Sequence, residues 1–293
     1  MSVRIKFLLL LTLFCFLFSS TWSSEIKKTG IPFIQHYSKK DYRGGTQNWT
    51  FVQGENHILF VGNNEGILKY DGSSWDLIPL PNQSVVRVLF EDEDGTIYAG
   101  GFNEFGFLKA DESGELVYQS LNEKIPGKEP REFWRIARSG DFMYFQTYNA
   151  LITRNTRTDE WTYQEAEEQF GFIHEIDGKL LLNDFGKGLA EIKGQKLVYF
   201  EGGEYFAQSE IWKIFKQGEK LLVCTQNEGI FELLDGQVLP WNTEVNQFML
   251  NNRLFCAQES KDYIFWGSIL GGLLVSDHQG HIIQHLNKNT GLN

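Results

Sequence analysis

Cysteine is scarce in this chain. Three residues among 293 are too few to build a disulfide-stapled scaffold. Basic charge is also short: 27 Lys and Arg against 38 Asp and Glu leave a formal charge of −11. The chain therefore has no broad footprint for a phosphate backbone, and no nucleic-acid partner is expected. After residue 18, no apolar run approaches the roughly 20 residues a membrane-spanning helix needs. Catalytic motifs are missing too: there is no Gly-x-Ser-x-Gly elbow, His-Glu-x-x-His pair or phosphate loop. Asp184-Phe-Gly186 spells a kinase triplet, but no Gly-rich loop or catalytic-loop motif accompanies it, so it reads as a turn. His278, His281 and His285 straddle a turn and a strand and so do not converge on a metal. The acidic run from Glu91 to Gly95 lacks the spaced ligands of a calcium loop. Together these absences point away from an enzyme and from any metal or cofactor.

What is present is apolar and aromatic. Hydrophobic residues make up 42% of the chain, enough for a sizeable core and against wholesale disorder. Twenty-nine Gly, 24 Phe, 11 Tyr and 8 Trp favour strands and tight turns over helices. At the amino terminus, Arg4 and Lys6 precede the apolar run Phe7 to Phe18, and small residues follow from Ser19 to Ser24. This is the layout of a cleaved export signal over residues 1–23, giving a soluble, periplasmic mature chain. Cys15 follows bulky Phe14, which does not suit a lipoprotein cleavage box. Cys224 and Cys256 each sit in an apolar strand pattern, so two buried thiols are expected rather than a bridge.

An internal repeat organises the rest. A small turn, a Gly or Ala, a short apolar strand, a second turn and another strand recur through the chain. The marker falls at Gly66, Gly106, Ala150, Gly188, Gly229 and Gly272, at intervals of 40, 44, 38, 41 and 43 residues. A period of about 41 with four short strands per unit predicts an all-β fold, a β-propeller of four-stranded blades. Residues 46–286 hold six such units. Phe33 to Tyr37 (FIQHY) matches Ile282 to Leu286 (IIQHL), the outer strand of the sixth blade. The segment 24–45 is thus expected to carry an outer strand at 33–37 for a closing seventh blade. That blade would begin at 287–293, where the sequence breaks off in mid-repeat. The competing reading is a complete six-bladed ring.

Several of these residues carry a family resemblance. Gly30-Ile-Pro-Phe-Ile34, Tyr37, Tyr42, Gln47-Asn48-Trp49, Gly66-Ile67 and Tyr70-Asp71-Gly72-Ser-Ser-Trp75 resemble the two-component-regulator propeller family, as does the stretch Gly280 to Asn293. Members are exported sensor regions of bacterial transmembrane regulators. The resemblance implies periplasmic ligand sensing, with carbohydrates as ligands in one branch. It also implies partners in the same polypeptide: further blades, an immunoglobulin-like triple-tyrosine domain, a transmembrane helix and an output module. A homodimer is implied for the full-length form.

Strand alternation says where a ligand would sit. The loop leading into each blade and the loop between its second and third strands share one face. Counting thirteen residues back from the turn gives Trp49, Trp134, Gly171 beside Phe172, Trp212 and Leu254 around the axis. Aromatics there could stack on a sugar, with Gln47, Asn48, Arg87, Arg131, Glu132 and Glu210 as polar neighbours. Phe102, Asn103, Glu104, Phe105, Tyr148 and Asn149 come from the second loop set. The same tryptophans would serve equally as filling between blades. A short helix is expected over residues 243–251, because Val245, Phe248 and Met249 share a helical face. Three functions fit: a ligand-sensing propeller, a glycan-active enzyme using Glu132 and Glu210, or a protein-interaction scaffold.

Overall fold

A strand buried on both faces must be apolar at consecutive positions, and the second strands of the repeat read that way. In Lys179–Asp184 the three leucines are all buried. Leu180 and Leu182 pack with Tyr144 and Ile173, whereas Leu181 packs on the opposite side with Ile214 and Val223. This blade is therefore filling between two others. The computed structural model describes residues 35–54, 57–125 and 132–290. The segment expected to be an export signal, Arg131 and residues 291–293 lie outside them.

The described chain forms six four-stranded antiparallel sheets, each hydrogen-bonded in sequence order. It is the β-propeller expected from the repeat. In the first blade the strands are Asn48–Gln53, Leu59–Asn63, Gly66–Tyr70 and Trp75–Ile78. Asp71 fixes the last hairpin by accepting from the backbone N–H of Ser73 and Ser74 at 2.8 and 2.7 Å. Ala150 begins a regular strand, Ala150–Asn155, so the third blade keeps register without the marker glycine. Between the second and third blades, the Arg138 guanidinium donates to both oxygens of buried Asp92, at 2.6 and 2.7 Å.

The expected short helix is Glu244–Asn252, with Thr243 accepting from the Asn246 N–H at 3.3 Å. Val245 and Met249 are buried with Trp241 and Trp266 between the last two blades. The helix thus packs on the core. Near the amino terminus, Gln35 to Tyr37 are not in a strand, in contrast to the outer strand expected over 33–37, whose first two residues lie outside the described ones. Tyr37 instead meets Tyr70 and Trp75 edge-on, with ring centroids 5.6 and 5.5 Å away.

The ring has a seam. Inner strands pack in succession from the first blade to the sixth, but among the described residues no comparable packing joins the sixth to the first. Phe51 in the first blade is 62% exposed, whereas Ile214, its equivalent in the fifth, is at 0%. Phe265 in the sixth is 37% exposed, and its equivalent Leu222 is at 0%. Tyr42 covers Val61 and Leu68 on the first blade, leaving Phe51 uncovered. The seam also corrects one expectation: Cys224 is buried, but Cys256 is exposed, because it lies on the free face of the last blade.

Candidate ligand-binding site

Every inner strand carries the same irregularity. Register against the second strand slips by one residue between Asn48 and Thr50, Val86 and Val88, Phe133 and Arg135, Phe170 and Ile173, Ile211 and Lys213, and Leu254 and Cys256. These are β-bulges, which re-aim a side chain out of the regular alternation. The extra residue is Trp49, Arg87, Trp134, Trp212 or Phe255, and in the fourth blade the Gly171–Phe172 pair. Five of the six positions are therefore aromatic.

The bulged residues touch in sequence. Arg87 lies over the Trp49 ring at 3.6 Å and 5.0 Å from the centre of Trp134. Trp134 then meets Phe172 at 5.9 Å, Phe172 meets Trp212 edge-on at 5.4 Å, and Trp212 meets Phe255 at 5.1 Å. The result is one continuous aromatic arc. Tyr148, from a loop between second and third strands, closes on Trp134 at 5.3 Å and on Phe172 at 6.3 Å. Beside it opens a cavity of about 170 Å³ lined by Tyr148, Gln169, Phe172, Phe185, Glu210 and Trp212.

Polar groups orient the arc. Trp49 Nε1 donates to Asn64 Oδ1 at 2.7 Å. Gln226, in the amide orientation that satisfies both neighbours, accepts from Trp212 Nε1 at 3.2 Å and donates to Glu210 at 3.1 Å. Glu132 pairs with Arg87 at 3.4 Å. Burial, then the charges of Glu132 and Glu210, push the Tyr148 phenol above its ordinary range.

Of the residues expected at the axis, Trp49, Arg87, Glu132, Trp134, Tyr148, Phe172, Glu210 and Trp212 come together. Phe102 borders the same space with Glu132 and Tyr148. Gln47 and Asn48 serve another purpose: buried Asn63 donates to the Gln47 carbonyl and to Asn48 Oδ1, fastening the approach to the first blade. Asn103 is tied through its carbonyl to Asn122 at 3.0 Å. Arg131 lies outside the described residues. Phe255 holds the place expected for Leu254, which is buried between blades. Three basic residues of the inner strands, Arg135, His174 and Lys213, were not expected there.

His174 gives the site a pH dependence. Burial, and secondarily the charges of Arg135 and Lys213, hold its imidazole well below the ordinary value of 6.5. The unfolded chain takes up this proton near pH 6.5 and the folded chain does not, so stability is full above that pH. It should fall below it, by up to about 1.4 kcal/mol per pH unit. Urea unfolding at pH 7 and pH 5.5 should show this loss in the wild type and a smaller one in His174→Gln; equal losses would contradict it.

Chains of known structure share this architecture. The extracellular domain of the putative hybrid two component system BT4673 from B. thetaiotaomicron matches with a TM-score of 0.59 at 16% identity, over 82% of this chain and 32% of that one. Virginiamycin B lyase from Staphylococcus aureus matches with 0.59 at 13% identity, over 83% and 84%. The computationally designed Ika8 protein matches with 0.57 at 14%, over 84% and 74%. The shared property is the fold. This chain spans about a third of the BT4673 domain. No family model and no curated protein matches. A sensor domain and a lyase thus stand side by side on one architecture, and function has to be argued from the site.

Proposed function

We propose that this propeller is the ligand-sensing part of an exported bacterial signalling or transcriptional regulator, and that it binds a saccharide on the axial aromatic arc without transforming it. The observation that carries this reading is the repeated bulge, which turns Trp49, Trp134, Phe172, Trp212 and Phe255 toward one another at the axis. Flat aromatic faces with a few fixed polar groups suit the apolar faces and hydroxyls of sugar rings. The extracellular domain of a regulator among the structures of this fold supports the same reading. Signalling would follow from a difference in ligand affinity between two arrangements of the propeller and the modules it joins: a triple-tyrosine domain, a transmembrane helix and an output module, paired in a homodimer.

Titration with a panel of oligosaccharides, followed by tryptophan fluorescence and by melting temperature, tests this. At least one should raise the melting point, and Trp134→Ala and Trp212→Ala should each weaken its binding about tenfold, the equivalent of about 1.4 kcal/mol of lost stacking. Product release that disappears in both Glu132→Gln and Glu210→Gln would replace sensing with catalysis. No response to any saccharide would remove the reading.

A further inference from the structure

The chain is acidic, yet the inner strands of its central blades are basic. Arg135 and Lys213 each follow a bulged tryptophan, and His174 stands on the strand between theirs. Arg135 lies 4.0 Å from the centre of the Phe172 ring and donates to the Trp134 carbonyl at 2.7 Å. Lys213 lies 5.4 Å from the centre of the Phe215 ring. Among the described residues, neither cation has a carboxylate within ion-pair distance. Glu259, whose charge reaches Lys213 from further away, is paired with His278 at 3.1 Å. His174 Nε2 is buried without a hydrogen-bond partner, as are Nε and Nη1 of Arg87.

Such a cluster is costly if nothing compensates it. Burial lowers Lys213 from its ordinary value and brings Arg135 down to about 10, yet the guanidinium stays charged at neutral pH. Two cations and the unpartnered Arg87 nitrogens then face the same neighbourhood, with cation–π contacts as their main support. An oxyanion supplies what is missing: negative charge, and acceptor oxygens that a guanidinium and an ammonium can share. Aromatic rings beside it fit the body of a sugar.

We infer that the saccharide taken by this propeller is acidic, with a carboxylate or sulfate substituent held by Arg135 and Lys213 while its ring stacks on Trp134, Phe172 or Trp212. This rests on the saccharide reading above and adds the charge of the ligand. A negative group is also drawn to the local charges of Arg135 and Lys213 against the net charge of the whole chain.

The experiment compares uronic-acid oligosaccharides, sulfated oligosaccharides, neutral oligosaccharides and inorganic sulfate, by calorimetry and melting temperature, on wild type, Arg135→Gln, Lys213→Met and Lys213→Arg. Circular dichroism confirms that each variant is folded. Acidic oligosaccharides should bind at least tenfold tighter than neutral ones, and the preference should shrink as salt is raised. Arg135→Gln and Lys213→Met should each lose about tenfold or more for the acidic ligands while Lys213→Arg retains most of it. The carboxylated and sulfated arms show which oxyanion is held. Neutral saccharides binding as well as acidic ones, with the cation variants unchanged, overturns the charge assignment and leaves saccharide sensing standing. A sulfate response that depends on Arg135 and Lys213, with no saccharide bound, upholds the anion site and overturns saccharide sensing. No response from any probe overturns both.

Discussion

A version of this chain lengthened by one four-stranded blade, seated between the first and sixth, is expected to melt about 10 °C or more above the present one. Equivalent positions of the blades differ at the seam. Ile214 and Leu222 are fully buried between blades, and Phe51 and Phe265, which occupy the same places at the seam, are exposed. Leu77 and Cys256 are exposed alongside them. Burying a large apolar side chain contributes roughly 1.5–3 kcal/mol. Covering the two phenylalanines and their neighbours would add roughly 5 kcal/mol, and each kcal/mol is worth about 2–4 °C in a domain of this size. Substitutions give the same answer without lengthening the chain. Phe51→Ser should cost roughly 0.5–1 kcal/mol here and Phe265→Ser, only partly exposed, roughly 1–2 kcal/mol, whereas Leu222→Ala should cost about 2–5 kcal/mol. In the lengthened chain the two phenylalanine variants should become costly as well. Equal melting points, or a Phe51→Ser variant that is already severely destabilised, would mean that the seam needs no further sheet.

The seam explains where sequence reasoning worked and where it stopped. Blade number and strand order were legible because the inter-blade core demands the same apolar pattern about every 41 residues, and Leu180 to Leu182 show why a strand between two neighbours cannot alternate. The aromatic axis was legible for Trp134 and Trp212 because each lies thirteen residues before the threonine paired with the residue ahead of its bulge, Thr147 and Thr225. Trp49 lies fourteen before the equivalent Asn63 and was reached because the count began at Gly62. It slipped by one residue at Leu254. In the structure Ser268 Oγ donates to the Gly272 carbonyl at 2.8 Å, as Thr225 Oγ1 does to Gly229 at 2.8 Å. The hydroxyl is thus the equivalent position, and counting thirteen back from Ser268 instead of Gly267 reaches Phe255. Arg135 and Lys213 were hidden for a different reason. A bulge breaks the period-two alternation, so the face taken by the residue after it cannot be read from the pattern on either side. Cys256 was misplaced because the same apolar strand pattern serves a covered face and a free one.

Gly106→Ala should be among the most damaging single substitutions in the chain, costing about 3 kcal/mol or more, although it adds one methyl group. The glycine is the second residue of the third strand of the second blade, Phe105–Ala110, opposite Ser120 of the outer strand. A Cβ there would lie 2.0 Å from the Gln119 carbonyl oxygen and 2.8 Å from the Tyr118 ring. The carbonyl belongs to backbone, so the outer strand would have to move. Tyr118 is itself held by Glu104, which accepts from its hydroxyl at 3.3 Å and from Ser120 Oγ at 2.6 Å. Relaxation would therefore break a buried hydrogen-bonded set as well as strand pairing, and these are the mechanisms behind large single-site losses. Gly72→Ala is the control. Its φ of 96° makes any side chain strained, but nothing lies within 4 Å of the added carbon, so the cost should stay at roughly 1–2 kcal/mol. Denaturant midpoints of the two variants measure the difference. If Gly106→Ala proved as mild as Gly72→Ala, the repeat glycine would be serving turn flexibility rather than the close approach of the outer strand.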